Sequence, residues 1–225
     1  MSEAARPLVT PPKLPKPRLR GVSHQWAFFV SVIAGAVLVI VARAGTPRLV
    51  IGIYALSVAA LFGTSALYHR INWSSIGARR WMRRLDHSMI FLLIAGTYTP
   101  FAVLVLDGPL ATAILIVVWV GAVGGILLKL AWVDVPKGVM ALIYLALGWV
   151  ALAAFPELFS ELGFTGGGMV ALGGLLYTLG ALVYAFKRPD PVPAVFGYHE
   201  VFHALVIAAA ALQFAVIAFY VIPAA

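Results

Sequence analysis

Leu110-Ala-Thr-Ala-Ile-Leu-Ile-Val-Val-Trp-Val-Gly-Ala-Val-Gly-Gly-Ile-Leu-Leu128 runs through nineteen residues without a charged side chain. Asp107-Gly108-Pro109 precedes it and Lys129 follows it. As an α-helix the run extends about 28 Å, close to the ~30 Å hydrocarbon thickness of a bilayer. A helix satisfies its own backbone hydrogen bonds in hydrocarbon, so a run of this length predicts a membrane-spanning helix rather than a strand. The same character holds along the chain. Of its 225 residues, 63% are hydrophobic and only 11% charged, with a mean hydropathy of +1.01. A water-soluble domain of this size has no means of hiding so much apolar surface, so the composition predicts an all-α integral membrane protein.

Seven such segments are expected, at about 24–42, 49–69, 86–106, 110–128, 137–155, 168–187 and 198–222. Breakers divide them: Gly45-Thr46-Pro47, Asp107-Gly108-Pro109, Val135-Pro136, Gly166-Gly167-Gly168, and Pro189 through Pro193. Residues 1–23 are basic and Pro-rich, predicting a disordered cytoplasmic tail, and 24–225 form one transmembrane domain. The tail resembles the start of a signal peptide only loosely; the first apolar stretch has no clean small-residue cleavage site and reads as a retained helix. No internal repeat points to an inverted-repeat transporter.

Basic residues give the direction. Placing the N-terminus in the cytoplasm puts Arg6, Lys13, Lys16, Arg18, Arg20, Arg70, Arg79, Arg80, Arg83, Arg84, Lys129, Lys137, Lys187 and Arg188 inside, and only Arg43 and Arg48 outside. This alternation predicts a seven-transmembrane-helix bundle with its C-terminus outside. The net charge of +8 is then a consequence of topology and of attraction to anionic inner-leaflet lipid, which leaves nucleic-acid binding without support. The expected location is the cell membrane, as a multi-pass protein.

Ionisable groups within these spans are expensive and mark function. Ser65-x-x-x-His69 ends the second segment, Asp86-His87 opens the third, and His199-Glu-Val-Phe-His203 opens the last. The topology sets all three motifs at one depth, in the cytoplasmic leaflet. Cysteine is absent, so a metal must rely on histidine, carboxylate and water. His199 and His203 lie on one helical face, and with His69 they make a three-imidazole set suited to zinc with one open position. A water at that position becomes a usable nucleophile. Asp86 has two readings: a base that holds this water, or a partner that orients a ligating histidine. Ser65 either hydrogen-bonds the water or helps polarise a substrate carbonyl.

Plainer roles are open to the same residues. His24 reads as a solvated interfacial anchor, and His87 as a contact at a helix start. Asp86 is also a favourable acid in a first helical turn, and Ser65 a small residue for close helix packing. His199-Glu200-x-x-His203 also spells the zincin pattern, with Glu200 as general base. An acidic third ligand is then required, and Asp107 falls on the opposite membrane face, so the protease reading fails.

Together Ser65-Ala-Leu-Tyr-His69, Leu85-Asp86-His87-Ser88 continuing to Ala95-Gly96-Thr97-Tyr98-Thr99-Pro100-Phe101, and His199-Glu-Val-Phe-His203 resemble the hemolysin III family. That family belongs to the progestin and adiponectin receptor (PAQR) superfamily, itself related to alkaline ceramidases. The resemblance covers nearly the whole chain from about residue 20, and its motifs occur in order on the second, third and seventh segments. It implies zinc held by His69, His199 and His203, with Asp86 on the zinc-bound water and Ser65 beside it. Thr97 to Phe101 match the family motif with no role beyond packing and a Pro-associated bend.

The expected function is a zinc-dependent hydrolase acting on an amide or ester bond of a membrane lipid, affecting lipid homeostasis. The alternative is a sensor or receptor-like protein, without catalysis, in which zinc ties helices together. A cytolysin ranks lower because so apolar a chain has no water-soluble form, and a channel ranks lower because the spans lack rings of polar residues.

Overall fold

The computed structural model describes residues 16–224. Helix α1 (Val22–Val41) is followed by α2 (Thr46–Arg70), α3 (Ile76–Leu104), α4 (Gly108–Ala131), α5 (Lys137–Gly148), α6 (Phe155–Phe186) and α7 (Tyr198–Val216). A 3-10 stretch, Trp149–Ala154, joins α5 to α6, and a π turn, Ile217–Val221, extends α7 to Ile222–Ala224. Among the described residues, six helical stretches are long and apolar enough to cross a membrane, one of them the 50-residue run Lys137–Phe186. Apolar helices of this length and number mark a multi-pass membrane protein.

Proline sets several helix starts. Pro47, Pro109 and Pro156 occupy the first turns of α2, α4 and α6, where a missing N–H breaks no helical bond. Outward-facing side chains are large and apolar: Ile40 is 73% exposed, Leu56 73% and Phe164 86%. Water does not tolerate a surface of that kind over whole helices, whereas acyl chains do. Inside the bundle, small residues let backbones approach. At Gly96 of α3 a Cβ would stand 2.2 Å from Ser57 Oγ of α2, so only glycine permits this crossing.

Three expectations about segment ends are corrected. The third helix begins at Ile76 rather than 86, because Arg79 to Arg84 are polar but helical and Ser75 Oγ caps the helix by accepting from Ala78 N at 3.4 Å. Residues 156–167, expected as a break between the fifth and sixth segments, are helical apart from Gly163 (φ 67, ψ 175). Gly166 and Gly167 stay in the helix, packed under the Tyr220 and Phe159 rings, so the glycine run serves packing rather than a turn. Of the expected tail, residues 1–15 lie outside the described residues. Residues 18–21 form a turn whose Arg18 and Leu19 N–H groups donate to Ala194 and Val195 carbonyls at 3.0 and 3.1 Å.

Contacts between helix ends place the motifs. Lys137 Nζ donates to Tyr198 OH at 3.1 Å, so α5 begins beside the start of α7. Asp107 N donates to Glu157 Oε1 at 2.7 Å, so α6 begins beside the α3–α4 connection, at the other end. The 12 residues of α5 and the six of the 3-10 stretch together rise about 30 Å, enough to join the two ends. Tyr98 supports that stretch: its OH donates to Gly148 O at 2.6 Å and accepts from Ala151 N at 2.7 Å. The phenol thus ties the first turn of the 3-10 segment to α3.

Candidate functional site

Ser65 and His69 sit one turn apart on the last turns of α2, and His199 and His203 one turn apart on the first turns of α7. The two pairs meet. His69 Nε2 and His199 Nε2 are 3.1 Å apart, and the ring centroids of His203 lie 4.5 Å from His199 and 5.2 Å from His69. One ligand atom from each of the three falls within 4.8 Å of the others. All three rings are buried, and His203 Nδ1 finds no hydrogen-bond partner among the described residues. Facing imidazole nitrogens with an orphaned nitrogen beside them suit a cation better than each other. Tetrahedral ligands at 2.0–2.1 Å from an ion stand about 3.4 Å apart, close to the His69–His199 separation. The set fits a metal ion.

Asp86 of α3 reaches the same place, with Oδ2 3.9 Å from His69 Nε2 and 3.6 Å from His87 Nδ1. His87 is otherwise engaged, with Nδ1 against Arg83 O at 2.8 Å and Nε2 against Tyr184 OH at 3.1 Å, and it stays outside the three-imidazole set. Tyr144 OH donates to His87 O at 3.0 Å and holds this part of α3 from α5.

His24 departs from its expected place as a solvated anchor. It is 3% exposed, stacks on His203 with centroids 3.7 Å apart and planes at 10°, and its Nδ1 meets Ser65 Oγ at 2.8 Å. Its position at the start of α1 folds it over α7, a tertiary contact that a reading of single residues misses. The signal available was depth: the basic-residue pattern already set His24 on the side of the other histidines. Ser65 thus has a partner in His24, and it also lines the cavity described below.

Glu200 takes part differently from the zincin pattern. It is 1% exposed, its Oε1 pairs with Arg20 Nε, and its Oε2 accepts from Gly197 N at 2.9 Å. One oxygen holds the N-terminal turn against the start of α7, and the other caps that helix. Gly21 (φ 77) completes that seam, since a Cβ there would fall 2.5 Å from His69 Cβ. Asp107 lies about 30 Å along α3 from Asp86, at the opposite end of the bundle. Outside the spans, the Arg83 guanidinium donates to Asp134 and holds its carboxyl below the usual carboxylate range.

A cavity of about 180 Å³ opens from this cluster. His24, Ser65, Asp86, His199 and His203 line its head, and its walls continue through Ile94 and Phe101 to Leu106 and Leu158 near the other end. It is long, narrow and mostly apolar.

Comparison with known proteins agrees with this architecture. A family described as Haemolysin-III related matches residues 13–214. The chain is 33% identical to Hemolysin-3 of Bacillus cereus over 207 residues, covering 91% of each protein. It is 26% identical over 195 residues to the human monocyte to macrophage differentiation factor, covering 85% of this chain and 79% of that one. It is 25% identical over 183 residues to the adiponectin receptor protein of Drosophila melanogaster, spanning 74% of this chain and 41% of the receptor. With a buried histidine cluster inside a bundle of apolar helices, and a match over most of its length, the chain belongs to the haemolysin III family and so to the progestin and adiponectin receptor superfamily.

Proposed function

We propose that the chain is a zinc-dependent membrane hydrolase that cleaves an amide or ester bond of a lipid, with the metal held by His69, His199 and His203. One observation carries this reading: the imidazole cluster sits at the head of a long apolar cavity, with a carboxylate beside it. Three imidazoles and no thiolate leave room for a fourth position, the pattern of catalytic rather than closed structural zinc sites. Zinc, when bound, supplies a Lewis acid for the substrate carbonyl and brings the pKa of a coordinated water to about 7.

The chain's own residues do the rest. Asp86 takes the proton of the attacking water at Oδ2 and returns it to the leaving amine or alkoxide. Ser65, fixed by His24 Nδ1, presents its hydroxyl at the cavity head and orients the scissile group. Stacked on His203, His24 holds that ring in place. The apolar walls exclude bulk water and receive an acyl chain.

The same reading makes the bundle seven spans, N-terminus inside. The 50-residue run Lys137–Phe186 is too long for one crossing, is interrupted at Gly163, and has the ends of α5 and α6 at opposite ends of the bundle. With fourteen of the sixteen basic residues then on one side, the metal cluster lies in the cytoplasmic leaflet.

Turnover is tested by lipid analysis of membranes from cells carrying the wild type or Asp86→Ala. Wild type should deplete one lipid class and release its free acid, and Asp86→Ala should abolish the change. Equal lipid profiles would refute the hydrolase reading and leave the metal a tie between α2 and α7, as in the sensor-like alternative.

A further inference from the structure

The cavity has a polar waist that the proposed chemistry does not use. Gln213 of α7 and Tyr177 of α6 both line it, well away from the histidines. Gln213 is 5% exposed; its Nε2 donates to Val170 O at 3.3 Å, while its Oε1 has no partner among the described residues. The buried OH of Tyr177 also has no partner there. Gln213 lies against α6 at Gly173, where a Cβ would stand 2.6 Å from its Nε2. Tyr177 follows Gly173 by one turn on the same face of α6, so its side chain leans back towards Gly173 and the level of Gln213.

Leaving two hydrogen-bonding atoms unpaired in an apolar setting is costly, and a site that does so is built for something that pairs them. An amide oxygen only accepts, and a phenol OH beside it is free to donate or accept. A single hydroxyl serves both, donating to Gln213 Oε1 and accepting from Tyr177 OH. A carbonyl or a plain alkene leaves the amide oxygen unpaired. Gln213 is ten residues beyond His203 on α7, about 15 Å along the axis, and Tyr177 lies between those levels.

We infer that Gln213 and Tyr177 form a second binding site, midway along the cavity, for a hydroxyl carried on the hydrocarbon chain of the ligand. This rests on the reading that the cavity holds a lipid chain, and it narrows the ligand class to mid-chain hydroxylated lipids.

Ricinoleate and oleate differ by one mid-chain hydroxyl and form the test pair. Each is used to displace a fluorescent fatty acid from the purified full-length protein in detergent. Ricinoleate should bind about tenfold more tightly than oleate, as one to two buried hydrogen bonds allow. Gln213→Leu should remove that preference while binding oleate at least as well. Tyr177→Phe, which keeps the ring and its packing, should reduce the preference several-fold. Equal affinity of wild type for both acids overturns the hydroxyl site but leaves the lipid cavity standing. A preference that survives both substitutions also overturns it. Failure of both acids to displace the probe overturns the lipid reading and the inference with it.

Discussion

Substituting Glu200 by alanine separates its structural duty from the base it would be in a zincin. Two losses follow. The Gly197 N–H, buried and now donating to Oε2 at 2.9 Å, is left without an acceptor, at about 1–3 kcal/mol. Arg20 loses its ion-pair partner as well. Breaking a buried pair costs about 3–5 kcal/mol, but the Arg20 side chain is 20% exposed and turns to water, which reduces that share. A net destabilisation of roughly 3 kcal/mol is expected, since the two losses overlap. Arg20→Ala should cost at least as much, because it strands the deeper partner, Glu200, at 1% exposure. The assay is equilibrium unfolding in mixed detergent micelles for wild type, both single variants and the double variant. A coupling of about 2 kcal/mol between the two positions is expected. Glu200→Gln, which keeps an oxygen for Gly197, should fall between Glu200→Ala and wild type and should keep its metal. Strict additivity of the single variants would refute the pairing. Full stability of Glu200→Ala combined with complete loss of turnover would restore the base role.

Gly96→Ala should destabilise the bundle by about 1–3 kcal/mol by forcing α2 and α3 apart, and Ser57→Gly in the same chain should recover most of it; no recovery would place the strain elsewhere. Tyr98→Phe should remove both hydrogen bonds that tie the 3-10 stretch to α3, costing about 1–3 kcal/mol, with faster amide exchange confined to residues 148–154. Chelation of the metal should stop turnover while the far-ultraviolet circular dichroism stays helical; loss of helix on chelation would favour the sensor-like reading, in which the ion is structural.

Much of this architecture was legible because hydropathy reports depth. The breakers at Gly45-Thr46-Pro47, Asp107-Gly108-Pro109 and Val135-Pro136 fall at helix starts, where a proline breaks no helical bond, whereas Pro100 lies inside α3. Helix lengths were less legible. Arg79 to Arg84 extend α3 beyond its apolar part, and hydropathy cannot see a helix that leaves the membrane. Gly166 and Gly167 look like part of a turn and are packed instead, because Tyr220 from the end of the chain and Phe159 from the preceding turns of α6 lie against them. In the site, His69, His199, His203 and Asp86, on three helices distant in sequence, come together. His24 and Arg20 joined that region unannounced. One is a lone histidine at a helix start and the other one cation among many in a basic tail. Their partners, Ser65, His203 and Glu200, are far away in sequence, and only the folded α1–α2–α7 seam brings them together.

The metal content of the purified protein tests the central claim most directly. Wild type should carry about one zinc per chain, as a single three-imidazole site allows. His69→Ala, His199→Ala and His203→Ala should each lose it, while His87→Ala, whose ring is held by Arg83 and Tyr184, should retain it. Wild-type protein without zinc, or zinc that survives all three substitutions, would contradict the account.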